Sequence, residues 1–145
     1  MEMKRNLGFT VIELIVAVTI VILLVAVAVA SFQDHMTHKS RAQARKAMIE
    51  VAEWLQLQYP KSRTYLVKLP VTQAPSDGSA VYRIELATGI VKATDPKAEF
   101  PASGADAYTI MAVPVSPDAC GSLLLDSAGR TGVSGASARV SDCWR

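Results

Sequence analysis

Hydrophobic and polar positions divide the chain into two contrasting parts. Residues 9–32 form an apolar run in which Glu13 is the only charge, and Thr10, Thr19 and Ser31 are the only other polar side chains. A helix of this length, at about 1.5 Å per residue, reaches roughly 36 Å and exceeds the about 30 Å of a bilayer's hydrocarbon core. The pattern therefore predicts a transmembrane helix over residues 9–32.

A helical period continues beyond this span. Apolar residues recur at helical spacing on one face, at Ala44, Met48, Val51, Leu55 and Tyr59, and charged residues fall elsewhere around the helix. Neither proline nor glycine interrupts residues 9–59, and Pro60 is expected to stop the helix. We predict one helix of about 50 residues, apolar all round in its first half and amphipathic in its second half to about residue 59.

Short alternating segments separated by turn formers follow Pro60. Residues 64–69 are a possible strand or an extended loop, and the stretches 95–106 and 134–145 are predicted loops. Predicted strands cover residues 81–86, 90–93, 108–113, 121–126 and 130–133, with 90–93 pairing 81–86 as a hairpin. These segments predict an antiparallel sheet of about four strands, covered by the amphipathic half of the helix, hence an α+β fold.

Composition adds orientation and redox compartment. The formal net charge of the 145-residue chain is only +2, so bulk charge gives no argument for nucleic acid. Lys4 and Arg5 precede the span, which predicts a cytoplasmic N-terminus and an exported head. The two cysteines, Cys120 and Cys143, favour one disulfide in an oxidising compartment, and two reduced thiols are the alternative.

Glu13 is the most unusual residue of the apolar run. An ionisable group inside a membrane span is costly and is a functional hypothesis by default. No other charged residue lies within residues 9–32 to pair with it. The alternative is a glutamate near the membrane edge whose carboxylate reaches the interface.

The leader and the start of the span resemble type IV pilins. "MEMKRNLG" is a short charged leader ending in glycine, and "FTVIELIV" follows it at once. The resemblance implies that residues 1–8 are removed by prepilin peptidase between Gly8 and Phe9 and that the Phe9 amine is methylated. That new cation on a neighbouring subunit would pair with Glu13 in a low dielectric and set the axial register of a filament.

The C-terminal half is similar to PilE-like minor pilins. The similar stretches are "AEWLQLQYPKSRTY", "YTIMAVP", "CGSLLLDSAGRTG" and "DCWR", whereas residues 60–107 match only loosely. The resemblance implies a type IV pilin fold with a C-terminal disulfide-bounded loop and a head over residues 33–145. Many major pilins have a glycine within the span and a proline near its outer end. Here Ile22 and Ala30 stand there, which favours an uninterrupted helix and a minor subunit.

The expected function is that of a minor pilin. The resemblance implies storage in the inner membrane, then assembly with other pilins into a surface pilus that serves adhesion, twitching motility or DNA uptake. Its expected partners are the other pilins, prepilin peptidase and the inner-membrane assembly machinery. One alternative is a DNA-binding competence minor pilin that contacts DNA through Arg130, Arg139, Trp144 and Arg145, and another is a type II secretion pseudopilin.

Other chemistry is weakly signalled. His35 and His38 lie three apart on one helix face, but no constellation of carboxylates or thiols joins them. No nucleophile with a base is recognisable, so we expect no enzyme, no cofactor and no metal. Basic residues cluster early in the amphipathic half, where solvated or inter-subunit contacts are expected, at Lys39, Arg41, Arg45 and Lys46.

Overall fold

The computed structural model describes residues 10–145, so the predicted leader and Phe9 lie outside the described residues. Two compact units divide the chain, Met1–Thr37 and His38–Arg145, and the second is called the head below. The elements are α1 (Val11–Ser62), β1 (Gln73–Ala74), β2 (Tyr82–Leu86), β3 (Val91–Lys92), β4 (Glu99–Phe100), β5 (Thr109–Pro114), β6 (Leu123–Asp126), β7 (Thr131–Val133) and α2 (Val140–Cys143).

In the first unit, the large apolar side chains of α1 are exposed. Val11, Leu24 and Val27 each expose more than half of their surface. The most apolar window of α1 has a mean hydropathy of 3.1 and contains no buried residue. The helix is therefore long and apolar enough to be a membrane-span candidate, as the sequence predicts, and its surface needs lipid or other helices to cover it.

The prediction that Pro60 stops the helix was wrong, because α1 includes Pro60 and ends at Ser62. Proline lacks an N–H and so removes one helix hydrogen bond, a loss that is small so close to a helix end. The next turn is closed by the Arg63 N–H, which donates to the Tyr59 carbonyl at 2.8 Å. Arg63 has a φ of +55°, in the left-handed region that commonly ends a helix.

The head contains a five-stranded antiparallel sheet in the order β1-β2-β5-β6-β7. The predicted strands that correspond to β2, β5, β6 and β7 are confirmed, and β1 is one short strand more. Residues 64–69 contain no strand, so the extended-loop interpretation holds there. Cross-strand pairing aligns four buried residues in one row, namely Ile84, Ala112, Leu123 and Val133.

The amphipathic half of α1 packs on this sheet, as predicted. Ala44, Met48, Val51 and Leu55 are at most 1% exposed and share one apolar core with the buried row. Full burial of a large apolar side chain contributes about 1.5–3 kcal/mol, so this face stabilises the head substantially. This arrangement confirms the α+β fold class.

The predicted hairpin between residues 81–86 and 90–93 was wrong. Strand β3 pairs instead with β4, which lies in a stretch predicted to be loop, and the two form a separate small sheet. Phe100 explains the difference, because its fully buried ring packs with Ala93 and Leu124 in a second apolar cluster. A Cβ on Gly132 would lie 2.7 Å from Phe100 Cζ, so only glycine leaves room for the ring.

The tail predicted as loop contains the four-residue helix α2. It lies beside the turn between β3 and β4, since the Val140 N–H donates to Asp95 Oδ2 at 2.6 Å. The same turn covers the free edge of β7, where the Thr94 N–H donates to the Val133 carbonyl at 2.8 Å. The small sheet, β7 and α2 therefore form one connected region of the head.

Candidate functional site

The predicted processing residues, Gly8 and Phe9, lie outside the described residues. Glu13 is in the first turn of α1, and its N–H donates to Thr10 Oγ1 at 3.4 Å. Threonine three residues before glutamate is the spacing of a capping box, and an acidic residue at a helix N-terminus is favourable. Among residues 10–145, however, the Glu13 carboxylate has no ion pair, which leaves it available to another subunit.

The disulfide between Cys120 and Cys143 is confirmed. The two Cα atoms are 5.9 Å apart, and both residues are 3% exposed. The bond joins the segment before β6 to the end of α2, across 23 residues of sequence. It therefore encloses β6, β7 and the region of the tail that carries the predicted basic residues.

Cys143→Ser should lower the free energy of unfolding by about 3 kcal/mol, because an unfolded chain without the cross-link gains loop entropy. Thermal or denaturant unfolding of the full chain in detergent measures this loss. Cys120→Ser, Cys143→Ser together should lose no more than the single change, and Ser141→Ala, an exposed position in the same loop, should lose nothing. An unchanged unfolding midpoint for Cys143→Ser would contradict the stabilising role.

A buried polar cluster connects α1, β2 and the disulfide loop; we call Arg41, Tyr82 and Asp118 the Asp118 cluster. Arg41 donates from Nε to Asp118 Oδ2 at 3.1 Å and from Nη2 to Asp118 Oδ1 at 2.6 Å. The Tyr82 hydroxyl donates to Asp118 Oδ2, and the Cys120 N–H donates to Oδ1 at 2.7 Å. One carboxylate thus holds a helix, a strand and the first cysteine together.

The Asp118 cluster is shielded from water and carries shifted titrations. The side chains of Arg41 and Asp118 are 12% and 8% exposed. Burial by itself raises the pKa of Asp118, but hydrogen bonds from Arg41, Tyr82 and the Cys120 N–H outweigh it, and the pKa falls below its ordinary value. Burial and the Asp118 carboxylate raise the pKa of Tyr82, so the phenol stays protonated and able to donate.

Arg130, a predicted DNA contact, is largely engaged within the head. Its Nε donates to Asp126 Oδ2 at 2.6 Å, and its guanidinium lies 5.1 Å from the centroid of the Phe100 ring. Asp126 itself is 3% exposed and also accepts the backbone N–H groups of Ala128 and Arg130. The guanidinium is still about half exposed, so one side of it faces solvent.

The other predicted DNA residues lie at or beside α2. Arg139 and Arg145 share one carboxylate, Asp142, at 2.8 and 3.1 Å, and their side chains are 73% and 76% exposed. Trp144 is half-buried, and its Nε1–H donates to the Gly132 carbonyl at 3.2 Å. Its indole is therefore a packing residue of the tail as well as a partly open ring.

Two further exposed cations join this region and were missed at the sequence level. Lys92 on β3 is 82% exposed, with Nζ 3.8 Å from Glu99 Oε1, and exposed Lys97 lies in the turn before β4. Arg130 contacts the Glu99 carbonyl, and Arg139 immediately precedes Val140, which binds Asp95. We call this set around the β3–β4 turn the basic cluster: Lys92, Lys97, Arg130, Arg139 and Arg145.

The basic residues early in the head serve different roles. Arg41 belongs to the Asp118 cluster, whereas Lys39 and Lys46 are exposed. Arg45 Nε is buried and has no hydrogen-bond partner among the described residues, and burial lowers the pKa of this side chain. His35 and His38 are exposed, and residues 10–145 contain no group of three potential metal ligands.

One sequence signal could have revealed part of the Asp118 cluster. Asp118 stands two residues before Cys120, which is the spacing at which an aspartate side chain accepts a backbone N–H in an Asx-turn. Its pairing with Arg41, 77 residues away in sequence, has no local signal. Lys92 and Lys97 were missed because the strand β4 that presents them was taken for loop.

A family model described as "Type IV minor pilin ComP, DNA uptake sequence receptor" matches residues 30–124, well over half of the chain. The chain belongs to this family. No curated protein matches it significantly. The resemblance to type IV minor pilins is thereby confirmed, and a minor pilin of a family involved in DNA uptake is a structural protein rather than a known enzyme.

The matched residues of this minor pilin include both ends of the Asp118 cluster, Arg41 and Asp118, and one end of the disulfide, Cys120. They also include Lys92 and Lys97 of the basic cluster. The match ends before Arg130 and the tail, and it begins after Glu13. Family membership therefore fixes the kind of protein, while the roles of those residues depend on the sequence and the geometry of this chain.

Proposed function

We propose that this minor pilin is a processed filament subunit whose head binds DNA during uptake through the basic cluster. The observation that carries the proposal is the match to a family described as DNA uptake sequence receptors. The exposed cations around the β3–β4 turn supply a surface suited to that role. DNA binding, the alternative at the sequence level, is thus favoured over adhesion as the task of the head.

The assembly part of the proposal concerns the N-terminus. Prepilin peptidase would cleave between Gly8 and Phe9 and methylate the Phe9 amine, and Lys4 and Arg5 would keep this end in the cytoplasm. The exposed apolar surface of α1 would lie in the inner membrane before assembly and against other pilin helices in the pilus afterwards. The unpaired Glu13 carboxylate would meet the Phe9 amine of a neighbouring subunit.

The DNA part of the proposal concerns charge around the β3–β4 turn. Five cations surround this turn, and the acids among them are Asp95, Glu99, Asp126 and Asp142. Asp126 is buried beneath Arg130, and Asp142 serves two arginines, so the outer surface is positive. Phosphate oxygens can replace these weak, exposed pairs, since surface ion pairs contribute only about 0–1 kcal/mol.

The mode of contact follows from the same geometry. Cations that contact phosphates give affinity and make it depend on salt, whereas sequence is read at base edges. The Trp144 N–H is committed to Gly132, so this ring contributes at most its open face. The basic cluster therefore accounts for affinity towards the DNA backbone.

Lys92→Ala with Lys97→Ala should weaken binding of the full chain to duplex DNA and reduce the slope of log affinity against log salt by about 1.8, at roughly 0.9 per lost phosphate contact. Fluorescence anisotropy at several salt concentrations, with the mature chain in detergent, measures both effects. Lys61→Ala with Lys68→Ala is the matched control, since both lysines are exposed and lie outside the basic cluster.

Two results would contradict the DNA part of the proposal. One is equal affinity and salt slope for the cluster variant and the control. The other is no binding by the unmodified chain at low salt, which would leave an assembly subunit without a DNA-binding head.

A further inference from the structure

An exposed strip of α1 in the head lies between two shallow grooves; the strip consists of Lys46, Ile49 and Glu50. One groove, of about 370 Å³, is lined by Ala42, Arg45, Lys46, Ile49 and Trp144. The other, of about 200 Å³, lies on the opposite side between Lys46, Glu50 and the segment after β1. Ile49 exposes 50% of its surface, so an apolar side chain stands open between the two grooves.

The charges of this strip have no partners within the head. Lys46 and Glu50 are exposed, and neither forms an ion pair with any residue of the described range 10–145. Beside them, the buried Arg45 Nε lacks an acceptor within the same range. A buried donor without a partner costs about 1–3 kcal/mol, so an acidic group entering the larger groove would remove a real penalty.

We propose that this strip binds the same strip of a second copy of the chain, displaced along the helix by four residues, so that Lys46 of one copy meets Glu50 of the next. The proposal rests on the assembly role proposed above. Four residues of helix correspond to about 6 Å of displacement. The neighbour's carboxylate then lies beside Arg45, and the two Ile49 side chains lose water together.

The direction of the pairing follows from the membrane. Copies that enter the membrane with Lys4 and Arg5 on one side all share one orientation, so their helices run parallel. A displaced parallel contact uses a different patch on each partner and does not close on itself, and such contacts propagate into filaments. The same four-residue spacing separates the predicted Phe9 amine from Glu13, so both charge pairs require the same displacement along the sequence.

Duplex DNA is a poorer occupant than a second copy. The strip contains Glu50, and Glu53 is exposed one turn further along, so phosphates would be repelled from half of the surface. A self-complementary strip, basic towards one end and acidic towards the other, matches itself after displacement. Charge complementarity therefore selects another copy of this chain.

Charge reversal in producing cells tests the proposal with sheared pili as the readout. Lys46→Glu and Glu50→Lys should each reduce the amount of this chain in pili about tenfold, the change that about 1.4 kcal/mol produces in an equilibrium. Lys61→Glu, an exposed lysine in the last turn of α1, is the control and should be incorporated normally. Immunoblots of pili and membranes separate a loss of incorporation from a loss of protein.

Mixing the two variants separates contacts between copies from contacts within one copy. Differently tagged Lys46→Glu and Glu50→Lys chains, expressed together, should restore each other's incorporation, because every interface can then join opposite charges. No mutual rescue, or normal incorporation of either variant alone, would overturn the proposal. If the unmodified chain is absent from sheared pili, the assembly role itself fails, which is a distinct outcome.

Discussion

Asp118→Ala should lower the free energy of unfolding by about 3–5 kcal/mol, because it leaves the buried guanidinium of Arg41 without its counter-charge. The Tyr82 hydroxyl and the Cys120 N–H lose their acceptor in the same change. Denaturant unfolding of the full chain in detergent measures the effect. A loss this large would make the Asp118 cluster the strongest single polar contribution to holding α1 on the disulfide loop.

Two further variants check the cause. Asp142→Asn removes an exposed carboxylate that also serves arginines, and it should cost at most about 1 kcal/mol. Arg41→Met with Asp118→Asn should lose less than the sum of the two single changes, since no charge is then left buried alone. Additive losses, or equal losses for Asp118→Ala and Asp142→Asn, would contradict the account of the Asp118 cluster.

The Asp118 cluster also predicts a pH dependence. The pKa of Asp118 is lower in the folded head than its ordinary value, so the ionised carboxylate stabilises the head above the unfolded pKa. That stability is lost as the pH falls through the folded pKa. Asp118→Asn should therefore unfold with less acid dependence than the unmodified chain below about pH 4.

Glu13→Ala should leave insertion into the membrane intact but reduce the amount of this minor pilin in sheared pili about tenfold or more, a factor that corresponds to about 1.4 kcal/mol. The reason is the loss of the carboxylate that would pair with the Phe9 amine of a neighbouring subunit in a low dielectric. Membrane and pilus fractions compared by immunoblot give the ratio.

Control variants separate this pairing from helix capping. Glu13→Gln keeps the size of the side chain without its charge and should fail as badly as Glu13→Ala. Thr10→Ala removes the hydroxyl that accepts the Glu13 N–H at 3.4 Å, and it should be incorporated nearly normally. Normal incorporation of Glu13→Gln, or a strong defect in Thr10→Ala, would favour the capping role instead.

The parts of the fold that follow local patterns were predictable from the sequence. Helical periodicity identified the face that contains Met48 and Leu55, and alternation identified β2 and the three later strands of the main sheet. Pairing of the small sheet was not predictable in this way, because it depends on Phe100 filling the space above Gly132. That contact joins residues distant in sequence, and a local pattern contains no sign of it.

The candidate site was predictable to a different extent in its two parts. The leader motif with Glu13 is a local pattern, and so is the cysteine pair, which the structure joins. The basic cluster is assembled by the β3–β4 turn, β7 and α2, so Lys92 and Lys97 could not be grouped with Arg139 from spacing alone. The pairing of Arg41 with Asp118 is likewise a product of packing between α1 and the disulfide loop.

Mass spectrometry of sheared pili tests the central claim, that this chain is a processed minor subunit of a pilus. The account predicts a mature chain that begins at Phe9 with a methylated amine, present at much lower abundance than the main pilin. Its absence from the pili, an intact leader before Phe9, or an abundance equal to that of the main subunit would contradict the claim.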